Sequence, residues 1–123
     1  MVVTASVGPT ADQLGIPDTG LNVNNISITA TKAGHALLLG NVSLQNATLG
    51  VDLTARVHKN GVILTPQAMA RAQEPVTGYK VSLSFALGDP ASAIGDVYTV
   101  FVWASAGTVD ILANMAQLIM VTP

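Results

Sequence analysis

The sequence predicts an all-β protein, folded as an antiparallel sandwich of two sheets behind an extended N-terminal arm. The first observation is a period of two: Val51, Leu53, Ala55 and Val57 alternate with polar residues, as in a strand with one buried face. The second is the recurrence of turn residues about every ten positions, which is typical of short strands in a sandwich.

The composition is poor in charge: charged residues make up 10% of the chain, against about 25% in an average soluble domain. Either other subunits cover part of the surface, or the surface is built from Ser, Thr, Asn and Gln; we favour covered surface. A formal net charge of −2 with five scattered Lys and Arg argues against nucleic-acid binding. The absence of cysteine excludes disulfides and thiolate metal sites.

No apolar run of about 18 residues is present, so the sequence predicts no membrane partner. The first ten residues lack a basic residue and a long apolar run, which a signal peptide would need. We therefore expect a protein that is made in the cytoplasm.

Residues 1–25 carry Gly, Pro, Asp or Asn every few positions, which prevents a helix and allows only short strands. The segment is nevertheless too apolar for a solvated tail. We interpret it as an arm that lies on its own domain, a neighbour or a larger partner, and residues 26–123 as the sandwich domain. The arm residues expected to make these contacts are Val2, Val3, Val7, Leu14 and Ile16.

Strands follow from residue 26 onward. The segment 35–44 is one, and 51–58 is a second, whose polar positions Asp52, Arg56 and His58 are expected to face water. The Asn60-Gly61 pair after it is the strongest short hairpin signal, because both residues tolerate the positive φ of a type I′ turn.

The segment 65–74 begins with Thr-Pro and continues with good helix formers, which favours a short helix, with an irregular loop as the alternative. Alternation returns in 79–87, and 97–104 is apolar on both faces. The final stretch, 108–121, fits either a helical stripe or two strands with a turn near Ala113-Asn114. We favour two strands, because they would complete the sandwich.

The strands fall into two classes. Those at 51–58 and 79–87 have one apolar face, whereas the first half of 36–44, 97–104 and 115–121 are apolar on both. A strand that is apolar on both faces belongs to a sheet covered on both sides. We therefore predict that the second class forms one sheet facing an oligomer axis, and that the other sheet faces water.

The strand order, the arginine-containing strand that runs into Asn60-Gly61, and the Asp89-Pro90 and Gly95 connection before Tyr98 carry a family resemblance. Over residues 26–123 the chain resembles the trimeric jelly roll of tumour necrosis factor and the complement globular head, and in particular small virion proteins of tailed bacteriophages with that fold. The resemblance implies a homotrimer whose inner sheet is formed by 35–40, 97–103 and 115–121. The interface side chains it suggests are Leu38, Tyr98, Phe101, Trp103, Leu118 and Met120.

The function that this resemblance implies is structural: a capsid decoration or cement protein on the virion surface, contacting the major capsid protein or other virion proteins. The alternative is a receptor-binding tip or fibre module that recognises a host glycan or protein.

Catalytic and cofactor motifs are absent from the sequence. The only histidines, His35 and His58, form no His-x-His pair, and Asp52 lies about 20 Å along the strand from His58. Asp89, Asp96 and Asp110 are more typical of turns than of a calcium site. Trp103 is a candidate platform for stacking on a sugar, but its apolar strand favours packing. We predict no enzyme activity, no cofactor and no metal.

Overall fold

The protein was analysed as a computed structural model, which describes residues 1–45, 47, 50–64 and 80–123, and the backbone of 69–73. Every regular element in these ranges is a β-strand. The strands are β1 (Val2–Gly8), β2 (Gln13–Pro17), β3 (Leu21–Asn22), β4 (Ile28–Thr29), β5 (Gly34–Leu44), β6 (Asp52–Lys59), β7 (Val62–Ile63), β8 (Met69–Gln73), β9 (Val81–Ser92), β10 (Val97–Ala104), β11 (Thr108–Ile111) and β12 (Ala116–Thr122).

Two antiparallel sheets enclose the core, as predicted. The first sheet has four strands in the order β1-β12-β5-β9. The second has six: β3-β10-β6-β7 in order, with β4 also paired to β10 and β8 also paired to β6. A separate two-stranded ladder joins β2 to β11. The predicted all-β sandwich is confirmed.

The hairpin predicted at Asn60-Gly61 is present. Asn60 has φ of 54° and Gly61 has φ of 79°, and Lys59 pairs with Val62 across them. Both turn positions are therefore in the left-handed region that Asn and Gly tolerate best.

The C-terminal stretch forms two strands and not a helix. β11 and β12 are separated by a turn at Ala113 and Asn114, where Asn114 has φ of 62°. The helix expected near 65–74 is wrong for its described part, because β8 is a strand paired with β6. The rest of that prediction, at 65–68 and 74, lies outside the described residues.

The predicted division of strands between the sheets is wrong for β9, which pairs with β5 and not with β6. It is also wrong for β10. That strand pairs with β6 from Tyr98 opposite Lys59 to Ala104 opposite Leu53, whereas β5 and β12 pair with each other in the other sheet. The physical reason lies in how its second face is covered. Phe101 and Trp103 pack around Arg56 on β6, so this face needs no second subunit to cover it.

The polar face of β6 is also more covered than predicted. Thr54 is 2% exposed and His58 is 8% exposed, while Arg56 is half-buried. On this strand, therefore, the alternation of apolar and polar residues corresponds to a polar face that is packed and not solvated.

Residues 1–25 lie against the chain's own sandwich, which is one of the three contacts expected for the arm. β1 pairs with β12 along its whole length, from Val2 opposite Thr122 to Gly8 opposite Ala116. Ile16 and Val23 are buried in the core. The Gly and Pro residues of this segment separate short strands of the sandwich, and the predicted extended conformation is retained within them.

Candidate functional site

The outward-facing side of the four-stranded sheet carries no Asp, Glu, Lys or Arg within its described strands. Cross-strand pairing arranges its side chains in rows, because directly opposed residues share a face. One apolar row is Val3, Val121, Leu37 and Gly88, and the next is Ala5, Ile119, Leu39 and Ala86. We call this surface, together with the polar rows below it, the uncharged face.

The other half of the uncharged face is polar. The third row is Val7, Gln117, Asn41 and Ser84, and Ser43 lies opposite Ser82 beyond it. Asn41 donates a hydrogen bond of 3.0 Å to Ser84 Oγ, and the two serine hydroxyls are 3.0 Å apart. Small side chains on β9 keep this side of the sheet flat.

A shallow apolar depression of about 460 Å³ lies at the apolar end of this face. Leu37, Gly88 and Val121 line it from the sheet, and Met1, His35 and Pro123 close its rim. Leu37 is 43% exposed and Val3 in the same row is 57% exposed, so the depression lies on an exposed apolar patch. The face is thus both uncharged and incompletely packed in a single chain.

Four of the six interface residues named from the sequence are in the core of the single chain. Leu38, Leu118 and Met120 point between the sheets, and Tyr98 is fully buried on the six-stranded sheet. A second subunit could not reach these side chains, so their selection is corrected. Phe101 and Trp103 are half-buried and lie on the outer face of the six-stranded sheet, away from the uncharged face.

The outward residues that the sequence analysis missed are Leu37, Leu39, Ile119 and Val121. A signal for them exists, because Asn41 and Ser43 fix which alternate positions of β5 face outward. Gln117 does the same for β12. Extending the polar phase of β5 back from Asn41, and that of β12 forward from Gln117, by two residues at a time leads to the missed residues.

The predicted arm residues separate into three groups. Val3 and Val7 lie on the uncharged face, Val2 and Leu14 are exposed elsewhere, and Ile16 is completely buried. Ile16 therefore cannot contact a partner, whereas the four others remain available to one.

A second cluster lies on the outer face of the six-stranded sheet and consists of Arg56, His58, Phe101 and Trp103. The guanidinium carbon of Arg56 is 5.1 Å from the centroid of the Phe101 ring and 4.7 Å from that of Trp103. The His58 ring stacks on Phe101 with centroids 4.5 Å apart and an interplanar angle of 11°. We call this group the Arg56 cluster.

Arg56 also binds His58 directly: its Nε donates a hydrogen bond of 2.9 Å to His58 Nε2. An imidazole nitrogen that accepts a hydrogen bond carries no proton, so His58 is neutral in this arrangement. Burial lowers the pKa of His58 below 6.5, and the positive charge of Arg56 lowers it further.

An Arg56→Met substitution is therefore expected to raise the pKa of His58, because it removes a cation beside the ring. The pKa should remain below 6.5, since burial is the larger cause of the shift. NMR titration of the imidazole resonances measures this, with His58→Asn used to assign the two histidines. His35 serves as the internal control, and an unchanged His58 pKa would contradict the proposed charge effect.

A partly buried ionic network ties the β6–β7 hairpin to the other sheet at one end of the sandwich. Lys59 Nζ is 2.9 Å from Asp89 Oδ2 and 3.4 Å from Asp96 Oδ2. The Tyr98 hydroxyl lies 2.5 Å from Asp89 Oδ2, to which it donates, and 2.9 Å from Ser92 Oγ. Asn60 donates to Asp96 Oδ1 at 2.9 Å, which anchors the hairpin turn.

The network shifts the ionisation of its members. Burial alone would raise the pKa of Asp89, but hydrogen bonds from Tyr98, Lys59 and the Ala91 amide outweigh it and hold the pKa below 3.8. Burial and the bond to Asp89 raise the pKa of Tyr98 to about 12. The hydrogen bond to Asp89 raises the pKa of Lys59. All of these partners are satisfied, so the network has a structural role.

Within the described residues, no group of three or more His, Cys, Asp or Glu side chains is placed to hold a metal ion. The described part of the chain also contains no helix that is long and apolar enough to span a membrane.

Comparison with known proteins identifies the architecture. No protein-family model matches the sequence, and no curated protein matches it either. Among solved structures, Eiger TNF from S. frugiperda superimposes with a TM-score of 0.68 at 11% identity, over 99% of this chain and 92% of that one. The fold is a TNF-like jelly roll. Murine APRIL matches this jelly roll with a TM-score of 0.57 at 13% identity, over 98% of this chain and 100% of that one.

The TNF-like jelly roll is also similar to part of a viral protein. The VP2 subviral particle of infectious bursal disease virus matches with a TM-score of 0.65 at 11% identity, over 97% of this chain and 32% of the VP2 chain. This chain therefore spans about a third of VP2. At these identities the likeness establishes the fold alone.

Proposed function

We propose that this chain is a structural virion protein, a decoration or cement protein of a tailed-bacteriophage capsid that acts as a homotrimer. The observation that carries the proposal is the uncharged face of the four-stranded sheet. It presents two apolar rows and a polar half without any Asp, Glu, Lys or Arg side chain. A surface of this kind is typical of the centre of a subunit interface, where charged residues are depleted.

The uncharged face suits self-association. Its division into an apolar half and a polar half lets three copies meet around an axis with apolar residues against apolar residues. The small residues of β9 allow close approach. The shallow depression beside Leu37 can receive a side chain from a neighbour. Each square ångström of apolar surface removed from water contributes about 25 cal/mol, so leucine, isoleucine and valine rows supply the main favourable term.

The virion role is supported by the fold and by the exposed edge of the sheet. VP2, which shares the jelly roll, forms a subviral particle. Among the described strands β1 is paired only with β12, and Val2, Val3, Thr4 and Ala5 are all exposed on it. An unpaired edge without charge or proline is suited to pairing with a strand of a neighbouring protein. We propose that this edge, with Val2 and Leu14, contacts the major capsid protein.

In this role the protein resists expansion of the shell mechanically, through buried apolar area and main-chain pairing. No chemical step or cofactor is required, and the place of action is the outer surface of the virion after synthesis in the host cytoplasm. The alternative, a receptor-binding tip, would use the same trimer at the end of a tail or fibre.

Sedimentation of the purified chain and electron microscopy of its native particle test the proposal together. We expect a trimer in solution and density repeated over the capsid surface. A chain that remains monomeric at micromolar concentration would contradict the trimer. Density confined to the tail tip would replace the cement role with the receptor-binding one.

A further inference from the structure

The Arg56 cluster lies on the sheet opposite the uncharged face, so a trimer formed through that face would leave the cluster accessible. Its parts are held firmly in place. A Cβ atom added to Gly20 would lie 2.5 Å from the Phe101 ring, which shows that the turn backbone packs directly on this ring. Phe101 is thus fixed between the Gly20 turn and His58.

Arg56 is held in one orientation by three contacts: the two aromatic rings and the hydrogen bond from its Nε to His58. A guanidinium has five N–H donors, and that bond uses one. Among the described residues, no recorded hydrogen bond uses the two Nη groups. Both ion pairs found among the described residues involve Lys59, so neither uses Arg56. The side chain therefore offers a fixed fork of donors without an internal acceptor in this part of the protein.

A carboxylate is the ligand that matches such a fork, because its two oxygens accept two parallel hydrogen bonds from the guanidinium. Ordering the arginine before binding removes much of the entropy cost of forming that pair. The flanking rings add apolar contact around the charged centre. Trp and Arg together are the residues most concentrated at the energetic centres of protein interfaces.

A protein partner fits this surface better than a sugar does. Arg56 already covers a face of Phe101 and a face of Trp103, so these rings support the guanidinium and are not a free stacking platform. The cluster is built on two adjacent strands of a sheet, β6 and β10, a surface suited to another protein surface. We propose that the Arg56 cluster is a docking site for an acidic segment of a partner protein, whose Asp or Glu carboxylate binds the Nη groups of Arg56. This docking does not depend on the trimer.

Fluorescence provides the test, because Trp103 is the only tryptophan in the chain. The full chain is titrated with a capped tetraglutamate peptide, a capped tetraglutamine peptide and glucuronate. We expect a saturable change in Trp103 emission with the glutamate peptide, and none with the glutamine peptide. Arg56→Met should weaken binding by about tenfold or more, because it removes a charge-assisted bidentate pair. Arg56→Lys should weaken it less, since the charge remains and the fork is lost.

Lys80→Met is the matched control, because it removes one exposed positive charge from a residue outside the cluster. It should bind the peptide as the unmodified chain does. Circular dichroism of each variant establishes that it is folded, and Arg56→Lys keeps the test decisive if Arg56→Met does not fold. Equal weakening by Lys80→Met, unchanged binding by both Arg56 variants, or no saturable response to the glutamate peptide would overturn the proposal. Tighter binding of glucuronate than of peptide would also overturn it, in favour of a carboxylated sugar.

Discussion

An Ile119→Asp variant is expected to remain folded and to sediment as a monomer. Ile119 occupies the middle of an apolar row on the uncharged face, between Ala5 and Leu39, and is partly exposed in the single chain. The monomer can therefore solvate the new carboxylate. In a trimer through this face, each copy would bury an unpaired charge, which costs several kcal/mol per subunit. Analytical ultracentrifugation measures the loss of association, and far-ultraviolet circular dichroism monitors the fold.

Ile94→Asp is the control for this experiment. It makes the same chemical change at an isoleucine that is 72% exposed in the turn between β9 and β10, away from the uncharged face. This variant should associate like the unmodified chain. If Ile119→Asp also stayed trimeric, the interface would lie on another surface.

An Asp89→Asn variant is expected to lose about 2 kcal/mol of unfolding free energy, because Tyr98 and Lys59 lose the charged acceptor of their hydrogen bonds. Asp89 is 3% exposed and accepts from Tyr98, Lys59 and the Ala91 amide. For a chain of this size the loss corresponds to a melting temperature lower by roughly 10 °C. Asp18→Asn, at an exposed turn, makes the same change outside the network and should melt like the unmodified chain.

Acidification should reduce the difference between Asp89→Asn and the unmodified chain. Because the pKa of Asp89 is lower in the folded state than 3.8, its contribution is complete above 3.8 and is lost as the pH falls through the folded value. Melting curves recorded from neutral pH to below 3.8 should therefore converge. Curves that stayed equally far apart at the lowest pH would indicate that packing, and not ionisation, causes the loss.

The local structure was largely predictable from the sequence. The alternation in β6, the left-handed Asn60-Gly61 turn and the break at Asn114 each depend on neighbouring residues, and each is present. The two-sheet sandwich follows from the number and spacing of such strands. These features are decided within a few residues, where propensity and steric limits act.

The long-range arrangement was not predictable by the same reasoning. β10 is apolar on both faces, so one face needs a cover besides the core. The sequence alone does not show whether that cover is a second subunit or, as in the structure, the side chain of Arg56. Leu37, Leu38 and Leu39 are all apolar, so the sequence does not show which of them face outward. The interface was therefore assigned to Leu38, which is buried in the core. The pairing of β1 with β12 joins the two ends of the chain and leaves no local pattern.

That pairing also has a consequence for biosynthesis. β1 is synthesised well before its ladder partner β12, because the other ten described strands lie between them in the sequence. The nascent chain therefore carries an uncharged strand without its partner until β12 has been made. Contacts between distant parts of a chain also form slowly. A chaperone that holds the N-terminal strand during synthesis would protect the nascent chain at its most vulnerable point, and yield on expression should fall when β1 is made more apolar.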